Sequence, residues 1–180
     1  MILPTDLSIT TLDKVSDNLI QGFSCGNSLI DDYLKTAFRA RLDHTLGLAS
    51  TTVFIYMDDI VAFFTALCTR ISIPEEEARM LGLQADREIS VPAIEVKYFA
   101  VREDLQNQGI GTIALQILLA NAYQTSERFA CRYIFLWSVD TEKALNFYKR
   151  NLFEDTGTVN HEGCHLLMFQ LPEDIEVEEY

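Results

Sequence analysis

The sequence predicts a mixed α/β domain in which helices cover both faces of a mixed sheet. Three observations carry this. Helix-patterned segments alternate with strand-patterned ones along the chain. Two pairs of strand segments, "TTVFIYM" with "IVAFFTALC" and "FEDTGTV" with "CHLLMFQL", are each joined by a few turn residues. The segment "RYIFLWSV" is a near-continuous apolar run, the pattern of a strand buried on both sides. With 180 residues the chain has the length of one domain, and 48% hydrophobic against 23% charged residues make it globular and soluble. We read residues 1–180 as a single domain that closes on an acidic tail from about 172 to 180.

The elements follow in order. "LSITTL" is a short first strand. "NSLIDDYLKTAFRARLDH" reads as one helix, because the pairs Leu29/Ile30, Tyr33/Leu34 and Ala37/Phe38 recur about one turn apart. Ser28 with Asp31 fits a capping box at its start. The first hairpin comes next, turning at Asp58-Asp59. "SIPEEEARMLGLQADREIS" is polar and fits a loop or a short helix equally. A strand runs from Ala93 to Val101, and a helix from residue 109 to about 127 with Ile110, Ile113, Ala114, Ile117, Leu118 and Ala120 apolar. After the buried strand, "TEKALNFYKRN" is a short helix with Asp140 or Thr141 as N-cap. The second hairpin turns at "NHEG" and closes the domain.

Charge and cysteine usage narrow the function classes. The formal net charge is −13, which repels nucleic acid at long range and attracts cations. The N-terminal "MILPTDLSITTLDKVSD" has no basic start followed by an apolar run, so no signal peptide is expected. The apolar stretch "IVAFFTALC" is too short to span a bilayer. Cys25, Cys68, Cys131 and Cys164 are scattered and form no CxxC pair, so they read as free thiols of a cytoplasmic protein. Cys164 and His165 are adjacent without a spaced partner pair, so no metal is expected.

The segment with the most chemistry is "VKYFAVREDLQNQGIGTIALQILLA", a strand, a loop with Gly109 and Gly111, and a helix. A helix start has unpaired N–H groups and the positive end of the dipole. Glycines there let an anion, most often a phosphate, approach the backbone. The plainer reading is a tight turn. A P-loop is excluded because no lysine follows Gly111. A dinucleotide-binding fold is served by Gly109, Gly111 and Ala114, with Asp140 at the end of the next strand. Against it, "REDLQNQ" separates the glycines from their strand, and too little chain follows for a full doubly wound sheet.

"QNQGIG" after a strand ending in "AV" resembles the Q/R-x-x-G-x-G/A motif of the GNAT superfamily of N-acetyltransferases. "ALNFYKRNLF" resembles that family's later segment A-x-x-F/L-Y-x-x-x-G-F. Two departures stand out: Leu152 replaces the usual Gly, and Thr141 stands where Asn is frequent. The resemblance implies a GNAT fold, with a mixed, mostly antiparallel sheet of six to seven strands and helices on both faces. It implies acetyl-CoA as cosubstrate. Gln106, Gln108, Gly109, Ile110, Gly111 and Thr112 are then expected to cradle the pyrophosphate, and Phe99, Ala100 and Val101 to bind the pantetheine arm through their backbone. Arg102, Lys143 and Lys149 are further candidate phosphate partners.

The resemblance also assigns chemistry. Tyr148 matches the family tyrosine that faces the CoA sulfur and is the candidate acid, its alternative being a core aromatic beside Phe147. Glu95 is the candidate base, because some members carry a catalytic Glu at the start of this strand; its alternative is a surface glutamate. The acceptor is a primary amine: a small cationic amine, a lysine side chain or a protein N-terminus, attacking directly in a ternary complex. "FSCGNSLIDDYLKTAFRAR" resembles a GNAT branch of toxins that acetylate aminoacyl-tRNA, which is the alternative. With 14 basic against 27 acidic residues the chain lacks a basic track for tRNA. A non-catalytic acyl-CoA-binding module is a further alternative. The expected assembly is a monomer or a homodimer.

Overall fold

The computed structural model describes residues 2–36, 38–83 and 89–172; most of the expected acidic tail lies outside the described residues. The seven strands are β1 (Ser8–Thr11), β2 (Ser50–Tyr56), β3 (Asp59–Ile73), β4 (Ile89–Val101), β5 (Tyr133–Ser138), β6 (Glu154–Val159) and β7 (His165–Gln170). The helices are α1 (Asp17–Gly22), α2 (Ser28–Lys35), α3 (Ala40–Thr45), α4 (Glu75–Met80), α5 (Ile110–Ser126) and α6 (Glu142–Arg150). The strands form one sheet in the order β1-β2-β3-β4-β5-β7-β6. The pairs β1–β2, β2–β3, β5–β7 and β6–β7 are antiparallel and β4–β5 is parallel. The predicted order of strands and the mostly antiparallel sheet are therefore present.

Two compact units divide the chain, one formed by Met1–Leu67 with Val96–Ala120, the other by Cys68–Glu95 with Asn121–Tyr180. In the first unit, Leu12, Val15, Ile20, Phe23, Tyr33, Leu34, Val53, Phe63 and Ala100 belong to one core cluster. Phe23 meets Phe63 edge to face at 5.3 Å. The hairpin of β2 and β3 turns at Met57 and Asp58, with φ of 47° and 63°. Both central residues are left-handed, as the twist-matching type I′ turn requires. In the second unit, Ile71, Ile73, Ala78, Val91, Ala93, Tyr133 and Phe135 make a second cluster.

The structure corrects the sequence reading at three places. The single helix over residues 27–44 is two helices. Thr36 leaves α2 with ψ of 120°, and Phe38, which continues the apolar stripe on paper, is 82% exposed. The cap is Asn27, not Ser28: its side chain accepts from the Leu29 and Ile30 N–H groups at 3.0 and 3.4 Å. Asp31, the supposed box partner, instead accepts from Ser24 Oγ and Cys25 N. β3 continues past Cys68 to Ile73, and the polar segment after it contains α4.

The end of α6 explains how Leu152 replaces a glycine. Leu152 adopts φ of 68°. Its N–H donates to Lys149 O at 3.2 Å, and Phe153 N–H donates to Tyr148 O at 3.1 Å. These are the two bonds of a Schellman stop. The apolar contact that accompanies it is the Tyr148–Phe153 ring pair, 5.6 Å apart. At the other end, Thr141 is the N-cap, its hydroxyl accepting from Ala144 N–H at 3.3 Å.

Candidate active site

In the first unit, β4 leads directly into the glycine loop. Arg102 N–H donates to Val61 O at 2.9 Å, and a 3-10 turn over Glu103–Leu105 follows. Asn107 (φ 63°) and Gly109 (φ 88°) then bend the chain into α5. A Cβ on Gly109 would meet nothing within 4 Å, so glycine is required there by the backbone angle and not by crowding. The bond from Ile113 N–H to Gly109 O spans 3.2 Å. The N–H groups of Ile110, Gly111 and Thr112 therefore precede that turn of the helix ladder and have no carbonyl four residues back within it. Together with the dipole of a 17-residue helix, they form a place for an anion.

The side chains of this loop do more specific work than the sequence suggested. Gln106 Nε2 donates to Cys25 O at 3.0 Å and to Val101 O at 3.2 Å. Gln108 Nε2 donates to Asp104 O at 3.0 Å. Arg102 pairs with Asp59 at 2.9 Å and Asp104 at 2.8 Å, and the Asp104 bond first, then Asp59, hold its pKa above the ordinary value. Its charge is thus engaged by two carboxylates. Ala100 is buried, and Phe99 and Val101 are half-buried. The β4–β5 ladder pairs Ala93–Glu95 with Tyr133–Phe135, so Phe99–Val101 lie beyond its rungs.

In the second unit, Tyr148 is buried on α6, with Phe147 at 5.0 Å and Phe153 at 5.6 Å. Burial pushes its phenol well above the ordinary pKa, so it stays protonated at any working pH. Glu95 is half-buried and opposes Phe135 on the last β4–β5 rung. Lys149 pairs with Asp155 at 3.2 Å. The nine candidate cofactor residues belong to the first unit and the two candidate catalytic residues to the second.

One cluster was missed from sequence. The Tyr33 hydroxyl donates to Asp43 Oδ2 at 2.9 Å, and Lys97 Nζ donates to the same oxygen at 3.2 Å. Tyr33 stacks on Tyr98 at 4.1 Å, and the Lys97 ammonium lies 5.2 Å from the Tyr33 centroid. Burial, then the Asp43 bond, raises the Tyr33 pKa. Nothing in the sequence pointed Lys97 at α3. Among the described residues, no group of three or more His, Cys, Asp or Glu is arranged to hold a metal, and no helix is long and apolar enough to cross a membrane.

These features have a counterpart among known proteins. The model of the acetyltransferase (GNAT) family matches residues 28–152, more than half of the chain. The chain belongs to the acetyltransferase (GNAT) family. The match takes in Glu95, the glycine loop and Tyr148. Acetyl transfer is the family's chemistry and acetyl-CoA its donor, and the loop and helix start described above fit a diphosphate. No curated protein matches the chain. Among solved structures, the AtaT toxin complexed with acetyl-methionyl-tRNAfMet is 19% identical, with a TM-score of 0.74 over 92% of this chain and 95% of that one. A tyrosine-to-phenylalanine mutant of KacT is 18% identical, with a TM-score of 0.73 over 92% and 95%. An AtaT mutant toxin bound to the C-terminus of the antitoxin AtaR and acetyl-CoA is 18% identical, with a TM-score of 0.69 over 92% and 93%. At these identities the likeness is one of fold.

Proposed function

We propose that this acetyltransferase moves the acetyl group of acetyl-CoA to a primary amine by direct attack in a ternary complex. The carrying observation is the left-handed pair Asn107 and Gly109, which turns the loop after β4 into α5 and leaves the first N–H groups of that helix free of a ladder partner. In this reading Gly109, Ile110, Gly111 and Thr112 receive the pyrophosphate, with Gln108 beside them. Phe99, Ala100 and Val101 offer backbone groups to the pantetheine arm.

The chemistry then needs two proton transfers. An alkylamine of pKa ~10.4 is an ammonium at neutral pH, and removing its proton costs roughly 4–5 kcal/mol at ~1.36 kcal/mol per pH unit. Glu95 is the acceptor of that proton, directly or through a water. The amine lone pair attacks the thioester carbon, the C–S bond breaks, and Tyr148 supplies a hydrogen bond or proton to the leaving sulfur. Burial raises its pKa, which favours donating a hydrogen bond to the sulfur over giving up the proton. The acidic composition favours a cationic acceptor: a small amine, a lysine side chain or a protein N-terminus.

A second reading has its own support. The chain shares its fold over 92% of its length with a toxin solved in complex with acetyl-methionyl-tRNAfMet, so the amine of an aminoacyl-tRNA is the competing acceptor. The experiment is thermal unfolding with acetyl-CoA, CoA, NAD or ATP, then thiol release with each class of amine. A ligand at ~100 times its Kd adds about 2.7 kcal/mol to the folded state. The midpoint should then rise by roughly 5–10 °C with acetyl-CoA and CoA, at ~2–4 °C per kcal/mol for a chain of this size. A shift with NAD alone, or with none of them, overturns the proposal.

A further inference from the structure

Gln106 occupies the first position of the glycine motif, and its side chain points away from that role. A glutamine amide nitrogen has two hydrogens. Nε2 of Gln106 faces two carbonyl oxygens, Cys25 O at 3.0 Å and Val101 O at 3.2 Å. The nitrogen must be the atom placed there, because an oxygen would face two acceptors. Both donors are thereby used within the chain, and donating to a phosphate would release one of these carbonyls.

What the amide joins is specific. Val101 ends β4, and Cys25 lies in the loop between α1 and α2. That loop is fastened at other points. Glu103 N–H donates to Ser24 O at 2.9 Å. Gly26, at φ of 82°, sits so close to Glu103 that an added Cβ would lie 3.1 Å from its carboxyl. Asp31 of α2 accepts from Ser24 Oγ at 2.7 Å and from Cys25 N–H at 2.8 Å. The glycine loop, the end of β4 and the α1–α2 loop therefore share one hydrogen-bonded connection, and Gln106 contributes the side chain that meets two of the three.

We propose that Gln106 is a positioning residue and not a phosphate ligand: it ties the α1–α2 loop to the end of β4, so that cofactor capture by the glycine loop also orders Ser24–Asn27. This rests on the acetyl-CoA reading above. The loop that leads into α2 is then a part of the enzyme that responds to the cofactor without touching the phosphates through Gln106.

The test is amide hydrogen exchange of the full chain with and without saturating CoA, in the wild type, Gln106→Leu and Asp31→Asn. In the wild type, CoA should slow exchange both at 109–113 and at 24–27. In Gln106→Leu, saturating CoA should still protect 109–113, while the protection at 24–27 falls at least about tenfold. Asp31→Asn, which weakens the other anchor of the same loop, should act in the same direction. Protection of 24–27 that survives in Gln106→Leu overturns the inference. So does a Gln106→Leu protein in which 109–113 is no longer protected, since Gln106 would then be a ligand. A wild type protected at 109–113 but not at 24–27 overturns this inference alone. A wild type with no protection anywhere overturns it together with the acetyl-CoA reading.

Discussion

At the scale of single residues, Tyr148 carries the most informative substitution. Its hydroxyl is the only part of the ring that Tyr148→Phe removes, and the edge-to-face contacts with Phe147 and Phe153 are kept. General acid catalysis is worth about 10²–10⁴ in rate. Tyr148→Phe should therefore lower kcat by at least about 10²-fold while the Kd for acetyl-CoA, measured by calorimetry, changes less than about threefold. Equal turnover in the mutant would return Tyr148 to the core. Glu95→Gln tests the base: kcat should fall by about 10²–10⁴-fold, the usual worth of a general base, while the Kd for acetyl-CoA is unchanged. The same residue scale sets alkaline stability. Tyr148 and Tyr33 both have folded-state pKa values raised by burial, so the folded state holds their protons more tightly than the unfolded chain does. Their contribution is complete below the unfolded value of ~10 and is lost as pH rises toward the folded values. The unfolding midpoint should hold through pH 9 and fall above about pH 10, and Tyr33→Phe should flatten that fall.

At the scale of elements, the stop of α6 offers a clean prediction. Leu152 holds a left-handed conformation that costs a side-chain residue roughly 1–2 kcal/mol, and at 76% exposed it recovers little by burial. Leu152→Gly should stabilise the chain by about 1 kcal/mol in urea titrations, with an unchanged m-value. The converse change, Gly109→Ala, places a Cβ at φ of 88° and should both destabilise the loop and weaken acetyl-CoA binding. Elements were legible where local pattern decides them. β5 shows its burial in sequence at every position but Trp137, and the β2–β3 hairpin shows its existence, although its turn is Met57-Asp58 and not Asp58-Asp59. The break between α2 and α3 was not legible, because helical spacing continues through Ala37 and Phe38 and only the folded chain turns at Thr36. Asn27 lost the cap to Ser28 on paper because both residue types cap well. The Tyr33–Asp43–Lys97 cluster was hidden for a different reason. Lys97 and Asp43 are 54 residues apart, and no periodicity links residues on separate elements. Gln106 was visible as a motif position, but its carbonyl partners were not.

At the scale of the whole molecule, the charge discriminates between acceptors. The chain carries −13, and "PEDIEVEEY" at its end contributes Glu173, Asp174, Glu176, Glu178 and Glu179. A field of that sign raises the local concentration of cations and slows the approach of polyanions. Salt weakens both effects, since the screening length is about 10 Å at 0.1 M and shrinks as salt is added. For a small cationic acceptor, kcat/KM should therefore fall as salt rises from 50 to 200 mM, and more steeply for a polyamine than for a monoamine. Shortening the chain after Pro172 should make that slope shallower while leaving the CoA-induced thermal shift unchanged. For an aminoacyl-tRNA acceptor the long-range term has the opposite sign. The association rate should then be flat or rise with salt, unless local Lys and Arg contacts to phosphate impose their own decline. The decisive comparison is the ratio of rates for spermidine and a neutral-tailed monoamine at the two salt concentrations. A ratio that narrows with salt supports the cationic acceptor. No turnover of either amine at both salt concentrations, with turnover on charged tRNA, would show that the acidic composition is incidental to acceptor choice and would favour the tRNA reading.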